Sequence, residues 1–347
     1  MQIELLRSAA LKDRLPDLVE YAMKGERVSL SRHPHWLYVL RDGLGQVPCA
    51  FEAREGQHTV GYLPLVFVRS TLFGRYLVSL PYLNTGGLMA DSDAVKAGLV
   101  EAAIGKAREL KVKYLELRHE EEFEHPLMNG KMDNKVHMRL ALPSFPGQLW
   151  NEIPAKVRNQ VRKGEKSNLT VVWGREELLD ELYAIFAHNM RDLGTPVYSR
   201  KLFAAMLKHF PKEIEICVIR QGELAIAASV LCHGKGVTEV PSASSLREFN
   251  STCANMLMYW NLLDRAVQRG SSVFDFGRST VDGPTFKFKK QWGAEPEPAV
   301  WQYHQRGGKM RELRPDNPKY ARFIKMWQKL PVGLTKVVGP RIVRGIP

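Results

Sequence analysis

Cysteine is scarce in this chain of 347 residues: Cys49, Cys217, Cys232 and Cys253 stand far apart, with no metal-ligand spacing. Three of them sit inside apolar runs, where a thiol behaves as a small buried hydrophobe. That usage points to a reducing cytoplasm and away from a disulfide-framed secreted fold. Long apolar runs are missing as well. Residues 60–68 form one of the longest, far short of the roughly 20 residues of a spanning helix. At the N-terminus Glu4, Arg7, Lys12, Asp13 and Arg14 interrupt any signal-peptide core. G-x-x-x-x-G-K-[ST], G-x-S-x-G, G-x-G-x-x-G and H-E-x-x-H are absent, which sets aside the P-loop, the nucleophile elbow, the dinucleotide fold and zincin chemistry. None of the ten histidines makes a convincing metal pair, since His33 and His35 merely flank Pro34, and no metal is expected.

Acidic residues are thin in one place. Residues 306–347 hold eleven Lys/Arg against two Asp/Glu, a net of +9 out of the chain's +13, which leaves +4 for the rest. The basic balance therefore describes a tail more than the body. Within it, Asn317 suits a helix cap and Pro318 the first helical position. Tyr320, Phe323, Ile324 and Trp327 then follow helical spacing, with Lys319, Arg322, Lys325 and Lys329 around them. A helix over 317–329 that lies on an anionic membrane surface fits this pattern, and so does a helix docked on the body.

The length suits two domains. Strands are expected at 47–53 and 59–69, a Gly/Asn-rich segment at 79–87, a helix at 93–110 and a strand at 114–118. The same order recurs with strands at 214–220 and 223–232, a small-residue segment at 240–245, a helix at 252–269 and a strand at 273–276. Gly56 and Gly222 mark the two hairpin turns. This is an α/β pattern, and its recurrence implies an internal duplication. Two prolines and a glycine in 141–147 mark the junction, giving units at 1–145 and 146–305 and a tail at 306–347. Residues 150–166 read as a basic helix. Residues 176–193 read as an amphipathic one whose stripe from Leu178 to Met190 is core.

Three stretches carry chemistry. On the basic helix, Lys156 and Lys163, and Arg158 and Arg162, share faces, while Val157 and Val161 form an apolar seam. Such a cationic face suits phosphate, or is simply solvated. In 273–279, Asp275 interrupts an apolar strand and needs a partner, Arg278 or a backbone amide. In 286–293, alternating Phe and Lys reads as a strand with one apolar and one cationic face. A lysine there would stabilise an oxyanion, or protect a sheet edge.

Taken in order, the Lys156–Lys166 stretch, Ser242-Ala243-Ser244, Asn255, Trp260, Asp275–Ser279 and Phe288-Lys289-Lys290-Gln291-Trp292-Gly293 resemble FemAB-like proteins. The nearest likeness is to those associated with exosortase and exopolysaccharide systems of Gram-negative bacteria. Gly339-Pro340-Arg341 is similar to that subgroup's ending. The resemblance implies two tandem GNAT-like domains, an α/β (α+β) fold, and acyl transfer onto an amine. The donor it implies is aminoacyl-tRNA or acyl-CoA, with no tightly bound cofactor. The acceptor is a lipid-linked or sugar amine of an envelope precursor. Phe288-Lys289 matches the family's F-K-x-x-F-G motif, with Trp292 in place of the second Phe. The helical hairpin of some tRNA-using members is missing, and Arg191–Pro196 only partly matches the pyrophosphate loop of acetyl-CoA enzymes.

The expectation is an N-acyltransferase, cytoplasmic or peripheral at the inner face of the plasma membrane. Lys289 stabilises the oxyanion, Phe288 flanks it, and Asp275 orients Arg278 or the amine. Lys156, Arg158, Arg162, Lys163, Ser244, Arg278 and Trp292 bind substrate. The alternatives are an acyl-CoA-dependent acetyltransferase in exopolysaccharide synthesis and a non-catalytic membrane-surface assembly factor. A nucleic-acid binder is disfavoured, because no aromatic platform is interleaved along the basic helix.

Overall fold

In the computed structural model, residues 1–71, 73–305 and 318–346 are described, without the side chains of 318–321. The strands are β1 (Gln2–Leu6), β2 (Val47–Glu55), β3 (His58–Ser70), β4 (Gly74–Val78), β5 (Met89–Ala90), β6 (Tyr114–Arg118), β7 (Gly130–Met132), β8 (Lys135–Ala141), β9 (Leu169–Gly174), β10 (Ile214–Gln221), β11 (Leu224–His233), β12 (Val237–Ser245), β13 (Val273–Thr280), β14 (Glu295–Pro298) and β15 (Trp301–Gln305). The α-helices are α1 (Ser8–Ala22), α2 (Trp36–Leu44), α3 (Asp93–Glu109), α4 (Pro146–Glu152), α5 (Ala155–Glu165), α6 (Leu179–Asp192), α7 (Arg200–His209), α8 (Ala254–Gln268), α9 (Pro284–Lys290), α10 (Pro318–Trp327) and α11 (Val332–Val343).

Two mixed sheets result. The first runs β1-β2-β3-β4-β6-β15-β7, with β5 beside β3, and the second runs β14-β8-β13-β12-β11-β10-β9. Each contains the same unit: an antiparallel hairpin, a third strand, a helix, and a strand parallel to the third. In the first sheet these are β2, β3, β4, α3 and β6; in the second they are β10, β11, β12, α8 and β13. Both hairpin turns hold glycine at positive φ, +60° at Gly56 and +58° at Gly222, where a side chain is disfavoured. The expected order is therefore present, with one correction. Residues 240–245 belong to β12, because small polar residues such as Ser242 and Ser244 conceal a strand. β4 precedes residues 79–87 in the same place.

Alternation along the strands feeds three cores. On β2 and β3, Cys49, Phe51, Leu63 and Leu65 face α3 residues such as Leu99 and Ala103. Ala50, Tyr62 and Val66 face the other way, joining Leu37, Leu40, Leu182, Phe203 and Ile216 in a core shared by both halves. Within it α2 and α7 pack so closely that a Cβ on Gly43 would lie 2.7 Å from Leu202 Cα. The third core packs β10, β11 and β13 under α5 and α8, with the expected seam of Val157 and Val161 fully inside. Cys49, Cys217 and Cys232 are free and buried.

The sheets interlock across the expected boundaries. β8, from residues before 145, lies between β13 and β14 in the second sheet. β15, from the end of the second half, lies between β6 and β7 in the first.

Candidate active site

Parallel β12 and β13 pair at only three positions, the last being Glu239↔Asp275, yet they continue to Ser245 and Thr280. Two irregularities drive them apart. The pairing of β11 with β12 jumps from Val230↔Ser242 to Cys232↔Glu239, so Val240 and Pro241 bulge. Proline has no N–H to lose from the ladder there. On β13 the register with β8 shifts between Asp275 and Arg278, and Gly277 takes φ +77°. A Cβ on Gly277 would also meet Asn84 Nδ2 at 2.9 Å.

Between the parted strands lies a cavity of ≈ 60 Å³, walled by Glu239, Val240, Pro241, Asp275 and Gly277 from the second half. Ser31, Trp36, Tyr82, Leu83 and Asn84 of the first half close it. A second cleft of ≈ 500 Å³ begins at the neighbouring residues Arg32 and Thr85 and includes Lys24, Lys96, Arg118 and Glu120.

Glu239 and Asp275 stand in contrasting environments. Glu239 accepts a 3.0 Å hydrogen bond from the Ser31 N–H. Removal from solvent, reinforced by the charge of Asp275, pushes its carboxyl up to about 7. Asp275 accepts from the Gly277 N–H at 2.6 Å and from Arg139 Nε at 3.0 Å, and it lies 3.4 Å from His137 Nδ1. Burial raises it, but His137, Arg139 and the Gly277 N–H outweigh burial and hold it below its ordinary value. One carboxyl is thus fixed as an anion while its neighbour titrates near neutrality, the arrangement that separates a charge holder from a general base.

Phe286–Lys290 is helical, where a strand was expected. Gly283 and Pro284 start α9, with proline at a first-turn position that needs no N–H. Phe286 and Lys289, three apart, form its buried face. Lys289 Nζ donates to Gly277 O at 2.9 Å and Arg278 O at 3.1 Å. Burial pushes this ammonium down to about 8, opposed by Asp275. It sits one peptide unit behind the cavity wall. Phe288 packs edge-on to Tyr259 at 4.9 Å, and Trp292 is fully buried near the same ring.

The partner of Asp275 is Arg139 together with the Gly277 amide, not Arg278. The bulge turns Arg278 to Trp301, whose ring centroid is 3.5 Å from its guanidinium and 3.9 Å from that of Arg118. Arg118 pairs with Glu116 at 2.7 Å. Arg278 Nε and Nη2 are buried with no hydrogen-bond acceptor among the described residues. Burial, then repulsion by Arg118, brings Arg278 down to about 10.

The basic helix divides in two at Pro154. Arg158 Nη1 donates to the carbonyls of Trp150, Asn151 and Ile153, closing the C-terminal end of α4. Arg162 lies over Trp150 at 5.5 Å. Lys156, Arg162 and Lys163 are exposed, and no residue of α5 lines either cavity described here. Ser244 is buried and accepts from Asn189 Nδ2 at 3.2 Å, tying β12 to α6. Sequence reasoning missed Glu239 and Arg139. Glu239 interrupts the run Val237-Thr238-Glu239-Val240 just as Asp275 interrupts its strand, so the same signal was there. Arg139 carries no such mark.

Among the described residues no cluster could hold a metal, and no helix is long and apolar enough to cross a membrane.

Two sheets, each with a parallel pair beside a hairpin, define a tandem GNAT-like fold. Residues 154–290 match the family described as acetyltransferase (GNAT) domain. No curated protein matches the chain. Among solved structures, FemX is similar with a TM-score of 0.61 at 12% identity, over 87% of this chain and 97% of that one. L-PGS from Bacillus licheniformis is similar with a TM-score of 0.55 at 11% identity, over 95% and 96% of the two chains. A tandem GNAT protein from the clavulanic acid biosynthesis pathway gives 0.54 at 12% identity, over 89% and 100%. At these identities the likeness is one of fold.

Proposed function

We propose that this chain is an N-acyltransferase that moves an acyl or aminoacyl group onto the amine of a cell-envelope or exopolysaccharide precursor. The observation that carries the reading is the Glu239–Asp275 pair at the mouth of the parted strands, with only Glu239 poised to titrate near neutrality. In the proposed reaction Glu239 takes a proton from the acceptor amine. The amine nitrogen bonds to the donor's carbonyl carbon, and that carbonyl's electron pair moves to oxygen. Collapse of the intermediate forms the amide and expels the donor's thiolate or ribose oxygen, which takes the proton that Glu239 removed from the nitrogen.

Lys289 is proposed to stabilise the oxyanion, from its position behind Gly277. Phe288 and Trp292 are proposed to hold α9 so that Lys289 stays there. Arg278, with two N–H-bearing nitrogens lacking acceptors, is proposed to meet an anionic part of the substrate. Exposed Lys156, Arg162 and Lys163 are proposed outer contacts for phosphate. Arg158 and Ser244 are proposed supports of the framework. The match to the acetyltransferase domain favours acyl-CoA as donor, with aminoacyl-tRNA as the alternative.

The test is acyl transfer by purified protein to a panel of amino sugars and envelope precursors. Acyl-CoA and charged tRNA would be supplied in turn, for wild type and Glu239→Gln. Transfer with one donor and its loss in the variant is expected. An undiminished rate in Glu239→Gln would remove Glu239 as base, and no transfer with either donor would remove the reading.

A further inference from the structure

The last two helices are not used by the proposed chemistry. α10 and α11 are seated on the body by one side. Trp327 is buried, and Gln328 Nε2 donates to Asp192 O at 3.0 Å. Arg191 Nη1 donates to Leu330 O at 3.2 Å. Thr335, Gly339 and Val343, four apart along α11, form its buried stripe, and a Cβ on Gly339 would press on Val197 N at 2.8 Å. Gln46 Nε2 and the Tyr82 hydroxyl then fix Arg344 O at 2.7 Å and 3.0 Å. Of the two readings of residues 317–329, a helix on a membrane and a helix docked on the body, these contacts belong to the second, and they cover one side only. Asn317 lies outside the described residues, as do residues 306–316 and the side chains of Lys319 and Tyr320.

The other side is uncovered and has a mixed character. Among the described residues, twelve large apolar side chains are exposed, and five of them fall in this short segment: Phe323, Met326, Leu334, Val337 and Ile346. Met326 and Val337 are each 61% exposed. Leu193, 51% exposed, adds to them, since its neighbour Gly194 abuts Ile324. From Pro318 to the last residue there are seven Lys/Arg and no Asp/Glu. Exposed cations such as Lys325, Lys329 and Arg341 are therefore left without acidic neighbours on their own segment.

We infer that this face of α10 and α11 docks on an anionic lipid bilayer. Charge complementarity names the occupant. Phe323 with Met326 and Leu334 with Val337, three apart on their helices, can enter the headgroup boundary while the surrounding cations meet lipid phosphates. The inference goes beyond the acyl-transfer reading and does not depend on it. Tyr82 would connect the two, because it lines the cavity and holds the end of α11.

The test is sedimentation of the full-length protein with phosphatidylcholine vesicles and with vesicles of phosphatidylcholine and phosphatidylglycerol, at increasing salt. Binding is expected to the mixed vesicles alone and to weaken with salt. Lys325→Gln with Lys329→Gln should weaken it about 25-fold, at roughly fivefold per cation. Leu334→Ser with Val337→Ser, which changes no charge, should weaken it as well. All four sites are exposed, so melting temperatures should stay at the wild-type value. Failure to bind mixed vesicles, or binding retained by both variants, would overturn the inference. A solution dimer dissolved by the Leu334/Val337 change would also overturn it, making a second copy the occupant.

Discussion

Glu239 and Asp275 face each other at the last pair of the β12–β13 ladder, one bound by a single backbone N–H, the other by an arginine and a backbone N–H. That asymmetry sets the first prediction. Glu239→Gln should lower kcat by about 10²–10⁴-fold while donor binding persists. In wild type, kcat/KM should rise with pH through about 7 as the base ionises. The variant should lose that rising limb, and a pH-rate profile of both proteins checks it.

The same carboxyl should govern stability. Its ordinary value is 4.5 and its folded value about 7, so between them the folded state keeps a proton that the unfolded chain gives up. Wild-type stability therefore falls as pH rises across that window. Glu239→Gln removes the effect and should gain about 1–3 kcal/mol over wild type at about pH 8, with no such gain at about pH 4. Denaturant titrations at the two pH values measure it.

If Lys289 acts as a cation, activity should fall above about 8, where its ammonium loses the proton. Lys289→Met should reduce kcat by about 10²–10³-fold. Lys289→Arg should restore part of the rate and move the falling limb to higher pH. An arginine variant that keeps the wild-type limb would show that another group titrates there.

Arg139 should matter for folding. It binds Asp275, Glu120 and Glu297 at once. Arg139→Ala leaves the buried Asp275 with only the Gly277 N–H and the nearby His137 to hold its charge, which should cost up to about 3–5 kcal/mol. Adding Asp275→Asn should recover part of that loss, since the amide needs no counter-charge. A double-mutant cycle in urea reads the coupling.

Arg158 and Lys163 should separate, although both lie on α5. Arg158→Ala strips three carbonyls of their donor and should cost about 1–2 kcal/mol without changing KM. Lys163→Ala should leave the melting temperature alone, and it should raise KM only if a phosphate-bearing substrate reaches that face.

Much of the fold was legible where one physical signal dominated. The helix expected at 93–110 is α3, Asp93–Glu109, where the structure adds a Ser92 side chain that accepts from the Val95 N–H. β6 shows an uninterrupted strand, and the two hairpins show their glycines. β12 was concealed because Ser242 and Ser244 do not alternate in hydrophobicity. α9 was misread because Phe286–Lys290 also satisfies a two-residue period; Pro284 decides for helix. At the site, Asp275 stood out as an acid in an apolar strand. Its arginine, 136 residues away in the chain, follows from strand pairing that no local pattern records.

The exchange of β8 and β15 has a consequence for how the protein is made. The first sheet cannot gain its strand between β6 and β7 until residues 301–305 have been translated. On the ribosome, the N-terminal half must therefore wait with the β6 edge unpaired until β15 has emerged. A gene cut between the halves would leave each product with a missing strand and a sheet edge open to self-association. Each half thus supplies a strand that the other half's sheet needs.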